Sequence, residues 1–154
     1  LPRYYTTRRK QYMLQSILVK HNIEMAHRLW DLPGKCEHIH GHSWWCELTM
    51  WKRPDDRGII VDFGEVKKAF RSYLDGTFDH RLALDVKDPL LAGMRTESTK
   101  AQDFYPGLVI VPAMPTVENM SKWIGSWAEQ NLPGMEQYEV RLWEASTNAA
   151  VWES

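Results

Sequence analysis

Cys36-Glu37-His38-Ile39-His40-Gly41-His42 packs one thiol, one acid and three imidazoles into seven residues. Read as the mouth of a β-strand, the segment sends His40 and His42 to the same face, because strand side chains repeat with period two. Two imidazoles on one face can grip one ion, and Gly41 between them lets another backbone or a ligand come close. Cys36 lies four residues before His40, where a thiolate can face whatever the ion holds.

Upstream, Tyr12 to His27 alternates as a strand. Leu14, Ser16 and Leu18 share one face; Val19, His21, Ile23, Met25 and His27 share the other. Leu32-Pro33-Gly34-Lys35 is a turn, and Ile39 to Met50, rich in Trp, Leu and Thr, is the partner strand of a hairpin. Such a hairpin brings His27 beside His40 and His42. His21, His27 and His38 compete for third place in the group. His27, nearest the turn, is favoured, and His21 and His38 read as polar surface. Three imidazoles with no obvious fourth protein ligand are the composition of a catalytic zinc site, whose open position holds water or substrate. A cupin-type spacing (Gly34, His40-x-His42, Glu47) fails where Pro54 replaces the expected glycine.

Downstream, Asp62 with Glu65 resembles a capping box, and Phe63, Val66, Phe70, Tyr73 and Leu74 form one helical face ending at Gly76. Phe78-Asp79-His80-Arg81 follows with no periodic explanation. Residues 83 to 107 are mixed and polar, and Leu108 to Val111 is a short β-branched run. Pro115-Thr116 opens a second helix striped by Val117, Met120, Ile124, Trp127 and Ala128 and closed by Leu132-Pro133-Gly134. Tyr138 to Ala145 alternates again, Ser146-Thr147-Asn148 turns, and Ala149 to Glu153 is a last strand. Strands, then helices, then strands predict an α+β fold with an antiparallel sheet.

The 154 residues suit one domain, 1–154, with a basic tail at 1–10. A formal charge of −1 gives nucleic acid no electrostatic support. No apolar run approaches the ~20 residues of a membrane span, and the basic N-terminus has no apolar segment behind it, so no membrane partner and no signal peptide are expected. Two Cys make no disulfide framework, which suits a reducing, cytoplasmic setting. Eight Trp call for burial in a core or at subunit contacts.

Several side chains could carry chemistry. A cation and nearby imidazoles favour a Cys36 thiolate, a candidate base, whereas Cys46 reads as a core thiol. Asp79-His80 is a carboxylate–imidazole unit able to pass protons. Glu144 shares a strand face with Val140 and Leu142, so it is an acid at a buried or interfacial position that needs partners.

Six ordered segments resemble the 6-pyruvoyltetrahydropterin synthase / 6-carboxytetrahydropterin synthase family. They are Ala26-His27-Arg28-Leu29, Cys36-x-x-x-His40-Gly41-His42, Gly58-Ile59-Ile60-Val61-Asp62-Phe63, Phe78-Asp79-His80, Pro115-Thr116-Val117-Glu118-Asn119 and Trp143-Glu144-Ala145. The resemblance implies the tunnelling fold, a four-stranded antiparallel sheet with two helices on one face, assembled as homotrimers or hexamers. It implies Zn2+ on His27, His40 and His42, Cys36 as proton acceptor, Asp79 with His80 as proton relay, and Glu144 gripping the pterin. Thr116 and Glu118 would line the pterin pocket. The implied substrate is 7,8-dihydroneopterin triphosphate, with Lys20, Arg28 and Lys35 as candidates for its phosphates. The implied products are 6-carboxytetrahydropterin for deazaguanine (queuosine-type) synthesis, 6-pyruvoyltetrahydropterin, or a folate-pathway hydroxymethyl product that Glu37 would favour. A zinc-binding assembly protein of the same fold is the non-enzymatic alternative. Ile23 stands where the family often has an aromatic, and residues 83 to 112 are longer than in its shortest members.

Overall fold

The computed structural model describes residues 13–94, 101–132 and 134–154, with the side chains of Gln102 and Phe104 left out. The basic tail, Tyr12 and Pro133 lie outside the described residues. Two long strands form the spine. β1 (Gln15–His27) pairs antiparallel with β2 (His40–Lys52) along its whole length, from Gln15 opposite Lys52 to His27 opposite His40. β5 (Gln137–Ala145) adds to the far side of β2, and β6 (Asn148–Glu153) closes a hairpin with β5.

The sheet has six strands, in the order β4-β3-β1-β2-β5-β6, and not the expected four. The additions are β3 (Arg81–Asp85) and β4 (Leu108–Val111), and both pairings are parallel: β3 with β1 and β4 with β3. Four of the five β3 residues are buried on both faces, so period two is lost there and the strand leaves no alternation to read. The α+β class stands; the purely antiparallel, four-stranded sheet does not. Two short helices, α2 (Leu90–Met94) and α3 (Ala101–Phe104), occupy the β3–β4 crossover.

The long helices are α1 (Phe63–Thr77) and α4 (Val117–Asn131). Asp62 caps α1, but its carboxylate accepts from Gly64 N rather than from Glu65, and the helix runs one residue past Gly76. Thr116 caps α4 by accepting from Asn119 N. Both helices lie on one face of the sheet. Val66, Phe70 and Leu74 of α1 and Met120, Ile124 and Ala128 of α4 form one core with Val19, Ile23, Trp44, Cys46, Leu48, Val140 and Leu142. Tyr73 and Trp127 stack between the helices at 4.1 Å and 4°. Phe63 departs from the expected stripe, being 46% exposed at the start of α1. Gly125 is where α4 meets β6: a Cβ there would fall 1.9 Å from the Trp152 ring. Among the described residues no helix is long and apolar enough to cross a membrane.

Candidate functional site

The β1–β2 register sets His27 directly opposite His40, and the strand period adds His42 to the same face. Ring centroids are 4.5 Å apart for His27–His40, 5.3 Å for His27–His42 and 5.0 Å for His40–His42. One nitrogen from each lies within 4.8 Å of the others, spacing in which one ion can sit. His21 instead pairs with Asp75 at 2.6 Å, and His38 is exposed at the end of the short 3-10 turn Lys35–Glu37. Neither joins the group, as the sequence reading expects.

The surrounding backbone chooses the tautomers. His27 Nδ1–H donates to the Pro115 carbonyl at 2.7 Å, and His40 Nδ1–H to the His38 carbonyl at 2.8 Å. A carbonyl only accepts, so in each ring the proton sits on Nδ1 and Nε2 offers a lone pair. Pro115 lies just before the Thr116 cap, so the start of α4 fixes the orientation of a β1 imidazole. The sequence gives no hint of that carbonyl. Burial lowers the proton affinity of His27, opposed by the Pro115 bond and reinforced by the neighbouring His40. Burial lowers that of His42 as well, opposed by Glu144. Neutral imidazoles are the ligand form. The Nε2 atoms of His27 and His42 are buried without a hydrogen-bond partner. Each such orphan costs roughly 1–3 kcal/mol, a cost that an ion bound by all three rings would remove.

Glu144 meets this group from β5. The β5–β6 register shifts between Trp143 and Ala145, a bulge that leaves Glu144 as the extra residue. Its Oε1 stands 3.5 Å from His27 Nε2 and 3.9 Å from His42 Nε2, while Oε2 accepts from Asn148 Nδ2 at 2.9 Å. Asn148 is a partner that strand periodicity does not reveal. Beyond the bulge, where β5 leaves β2, a cavity of about 570 Å³ is lined by Lys20, His42, Trp45, Glu47, Trp143 and Glu144.

Asp79 and His80 form a second unit. Asp79 Oδ1 accepts from Glu24 N at 2.8 Å, and His80 Nδ1–H donates to Asp79 Oδ2 at 2.7 Å. Burial alone would raise the Asp79 carboxyl, but the Glu24 amide and His80 outweigh it and hold it below the usual range. His80 has φ 54, a left-handed conformation secured by its own N–H on Glu24 O at 2.7 Å. His80 and His42 border one cavity of about 390 Å³ with Glu24, Ser43 and Tyr105.

Cys36 is exposed on the 3-10 turn, and among the described residues its thiol has no hydrogen-bond partner. Cys46 is fully buried, and burial, then the Glu47 charge, push its thiol far up. Glu118 is exposed in the first turn of α4, and neither it nor Thr116 lines either cavity of the single chain. Of the three candidate phosphate cations, Lys20 pairs with Glu47 at 2.9 Å and Arg28 with Asp88 at 3.2 Å, whereas Lys35 is exposed on the Cys36 turn.

A curled α+β sheet with two helices on one face, ending in three convergent imidazoles, defines a class of strand-end site with the spacing to hold one ion. Residues 16–154 match the family described as 6-pyruvoyl tetrahydropterin synthase, and the chain belongs to that family. It is 33% identical over 99 residues (64% of this chain, 68% of the relative) to the 6-carboxy-5,6,7,8-tetrahydropterin synthase of Rickettsia bellii. Its identity to the protein of the same name from Aquifex aeolicus is 27% over 126 residues, 76% of this chain and 75% of that one. The fold is shared with an uncharacterized Wolinella succinogenes protein (TM-score 0.76, 20% identity, 91% of this chain and 98% of that chain). It is shared too with the 6-pyruvoyl tetrahydropterin synthase of Plasmodium vivax (TM-score 0.74, 18% identity, 92% and 98%). The Plasmodium vivax protein has also been solved with a glutamate, described there as a catalytic residue, replaced by Ala or by Cys.

Proposed function

We propose that this chain is a zinc-dependent 6-carboxy-5,6,7,8-tetrahydropterin synthase. This lyase would convert 7,8-dihydroneopterin triphosphate to 6-carboxytetrahydropterin, with release of acetaldehyde and triphosphate, in cytoplasmic deazaguanine (queuosine-type) synthesis. The observation that carries the reading is the three-histidine group with two buried, unpartnered Nε2 atoms beside Glu144. The name shared by the Rickettsia and Aquifex relatives directs it to this product.

In this reading His27, His40 and His42 hold the zinc, which when bound polarises side-chain oxygens and acidifies the neighbouring carbons. Cys36 takes a proton from the substrate side chain, its exposed thiol being free to move toward that carbon. Asp79 keeps His80 oriented through Nδ1, leaving Nε2 to give and take protons. Glu144 accepts hydrogen bonds from the pterin amino and ring N–H groups. Thr116 and Glu118 line the pterin pocket once subunits meet. A homotrimer or hexamer of this one domain is supported by the open sheet face, where Leu18, Trp45 and Val151 are 51%, 43% and 49% exposed.

The test is to incubate the pure, zinc-loaded protein with 7,8-dihydroneopterin triphosphate and identify the product by mass. 6-Carboxytetrahydropterin with acetaldehyde is expected; 6-pyruvoyltetrahydropterin as the main product overturns the assignment. A second reading attaches to Glu37, exposed beside Cys36 on the same turn. A carboxylate there can take a proton from a different side-chain carbon or hydroxyl and redirect cleavage toward a minor hydroxymethyl product. A product ratio unchanged in Glu37→Ala removes that reading.

A further inference from the structure

Two buried carboxylates take no part in the chemistry above. Asp85 ends β3 and Asp88 follows three residues later; they are 4% and 3% exposed. Both face the residues that leave β1 directly after His27. Arg28 Nε stands 3.2 Å from Asp88 Oδ2, the side chains being 16% and 0% exposed, in an ion pair without hydrogen-bond alignment. Trp30 Nε1–H donates to Asp85 Oδ2 at 3.1 Å. The second oxygen of each acid is also used: Asp85 Oδ1 accepts from Lys87 N and Asp88 Oδ1 from Leu90 N. Between the two anchored side chains, Leu29 N–H donates to the Cys36 carbonyl at 2.8 Å. The segment is thus a strap. Its outer side chains grip the loop after β3, and its central amide holds the Cys36 turn.

Burying a carboxylate costs several kcal/mol unless it is well paired, and the apolar cluster of Leu82, Leu84, Leu91 and Leu108 does not require two such groups. Their effect is geometric. His27 to Leu29 spans two residues, at most about 7 Å of chain, so a fixed Leu29 amide sets where the Cys36 backbone stands relative to the His27 imidazole. Residues 31–39 are all exposed, and the turn's other backbone bonds, such as Glu37 N on Gly34 O and His38 N on Lys35 O, are local.

We propose that Arg28, Trp30, Asp85 and Asp88 are positioning residues that fix the Cys36 turn relative to the three-histidine group. The proposal rests on reading Cys36 as the working thiol. It also assigns Arg28 to the strap and not to the substrate's phosphates.

Asp88→Asn keeps the shape and an acceptor for Leu90 N but removes the charge facing Arg28. In the zinc-loaded protein the expected result is unchanged metal content and a Leu29 amide that exchanges about tenfold faster. kcat should fall by roughly 10- to 100-fold with KM little changed. Arg28→Ala combined with Asp88→Asn should be no worse than either alone, as for two halves of one contact. Trp30→Phe keeps an aromatic ring but removes the indole N–H that Asp85 accepts, and carries the same test if Asp88→Asn does not fold. Unchanged Leu29 exchange overturns the proposal. So does metal lost in step with kcat, which would place the acids' role at His27. Should the wild type yield no pterin product, Leu29 exchange and the rate of Cys36 alkylation still decide the strap, since neither needs turnover.

Discussion

One face of β2 carries two regions of opposite character. Trp44, Cys46, Leu48 and Met50 are 0% exposed under the helices, and nothing polar is left over there. Two residues earlier on the same face, His42 is half-buried and keeps an unpartnered ring nitrogen, and His40 lies beyond it. Strand, face and ladder partner are the same; only the helix cover differs. The two cysteines repeat the contrast, with Cys46 sealed in the core and Cys36 exposed on its turn. The exposed thiol and the unpartnered imidazole nitrogens both lie where the sheet outruns its helices.

The strongest way to break the contrast is to give the open end the character of the closed one. His40→Ala should remove nearly all bound zinc and turnover, since losing a ligand costs more than the roughly 10- to 100-fold typical of an outer partner; metal analysis after dialysis reads it. His21→Ala and His38→Ala should keep the metal. Next comes the thiol pair. Cys36→Ala should lower turnover by about 10²- to 10⁴-fold with zinc retained. Cys46→Ala should leave the site intact and lower stability by about 1 kcal/mol, read by urea denaturation. Gly125→Ala attacks the closed region alone: a methyl driven into Trp152 should cost about 1–3 kcal/mol without altering zinc content.

The closed region also has a pH response of its own. Burial, then the Glu47 charge, raise the Cys46 thiol, and burial pushes the Tyr73 phenol up to about 12. Both groups stay protonated in the folded chain at pH values where the unfolded chain releases its protons. Their contribution is therefore complete below the ordinary thiol value of about 8.5 and declines above it, by at most about 1.4 kcal/mol per pH unit for each proton. Melting temperatures measured from pH 7 to 11 should fall. Cys46→Ala should flatten the first part of that fall and leave the part due to Tyr73.

The sequence made the contrast readable where a single periodicity ruled. Alternation placed Val19, Ile23, Met25 and His27 on one face, and the hairpin placed His27 opposite His40. Both long helices were visible from their stripes and caps, Asp62 and Thr116. β3 was not, because Leu82, Ala83, Leu84 and Asp85 are buried on both faces and a strand covered twice has no polar beat. Its parallel pairing also depends on a crossover through residues with no regular pattern. Partners supplied by backbone, such as the Pro115 carbonyl on His27, or across long separations, such as Asp88 on Arg28, leave no mark in local spacing.

The bulge at Glu144 has a consequence for how this chain tolerates change in length. Surface turns usually accept insertions at little cost. Here Asn148, the first residue of β6 after the turn, holds Glu144 Oε2, and the register slips by one between Trp143 and Ala145. Deleting Trp143 would restore an even ladder, set Glu144 opposite Ala149 and swing the carboxylate toward the opposite face of the sheet, leaving a folded hairpin without its acid. Adding one to Ser146-Thr147 would carry Asn148 out of reach. A loop of ordinary appearance is thereby held to a fixed length, not by packing but by the direction in which a single side chain must point.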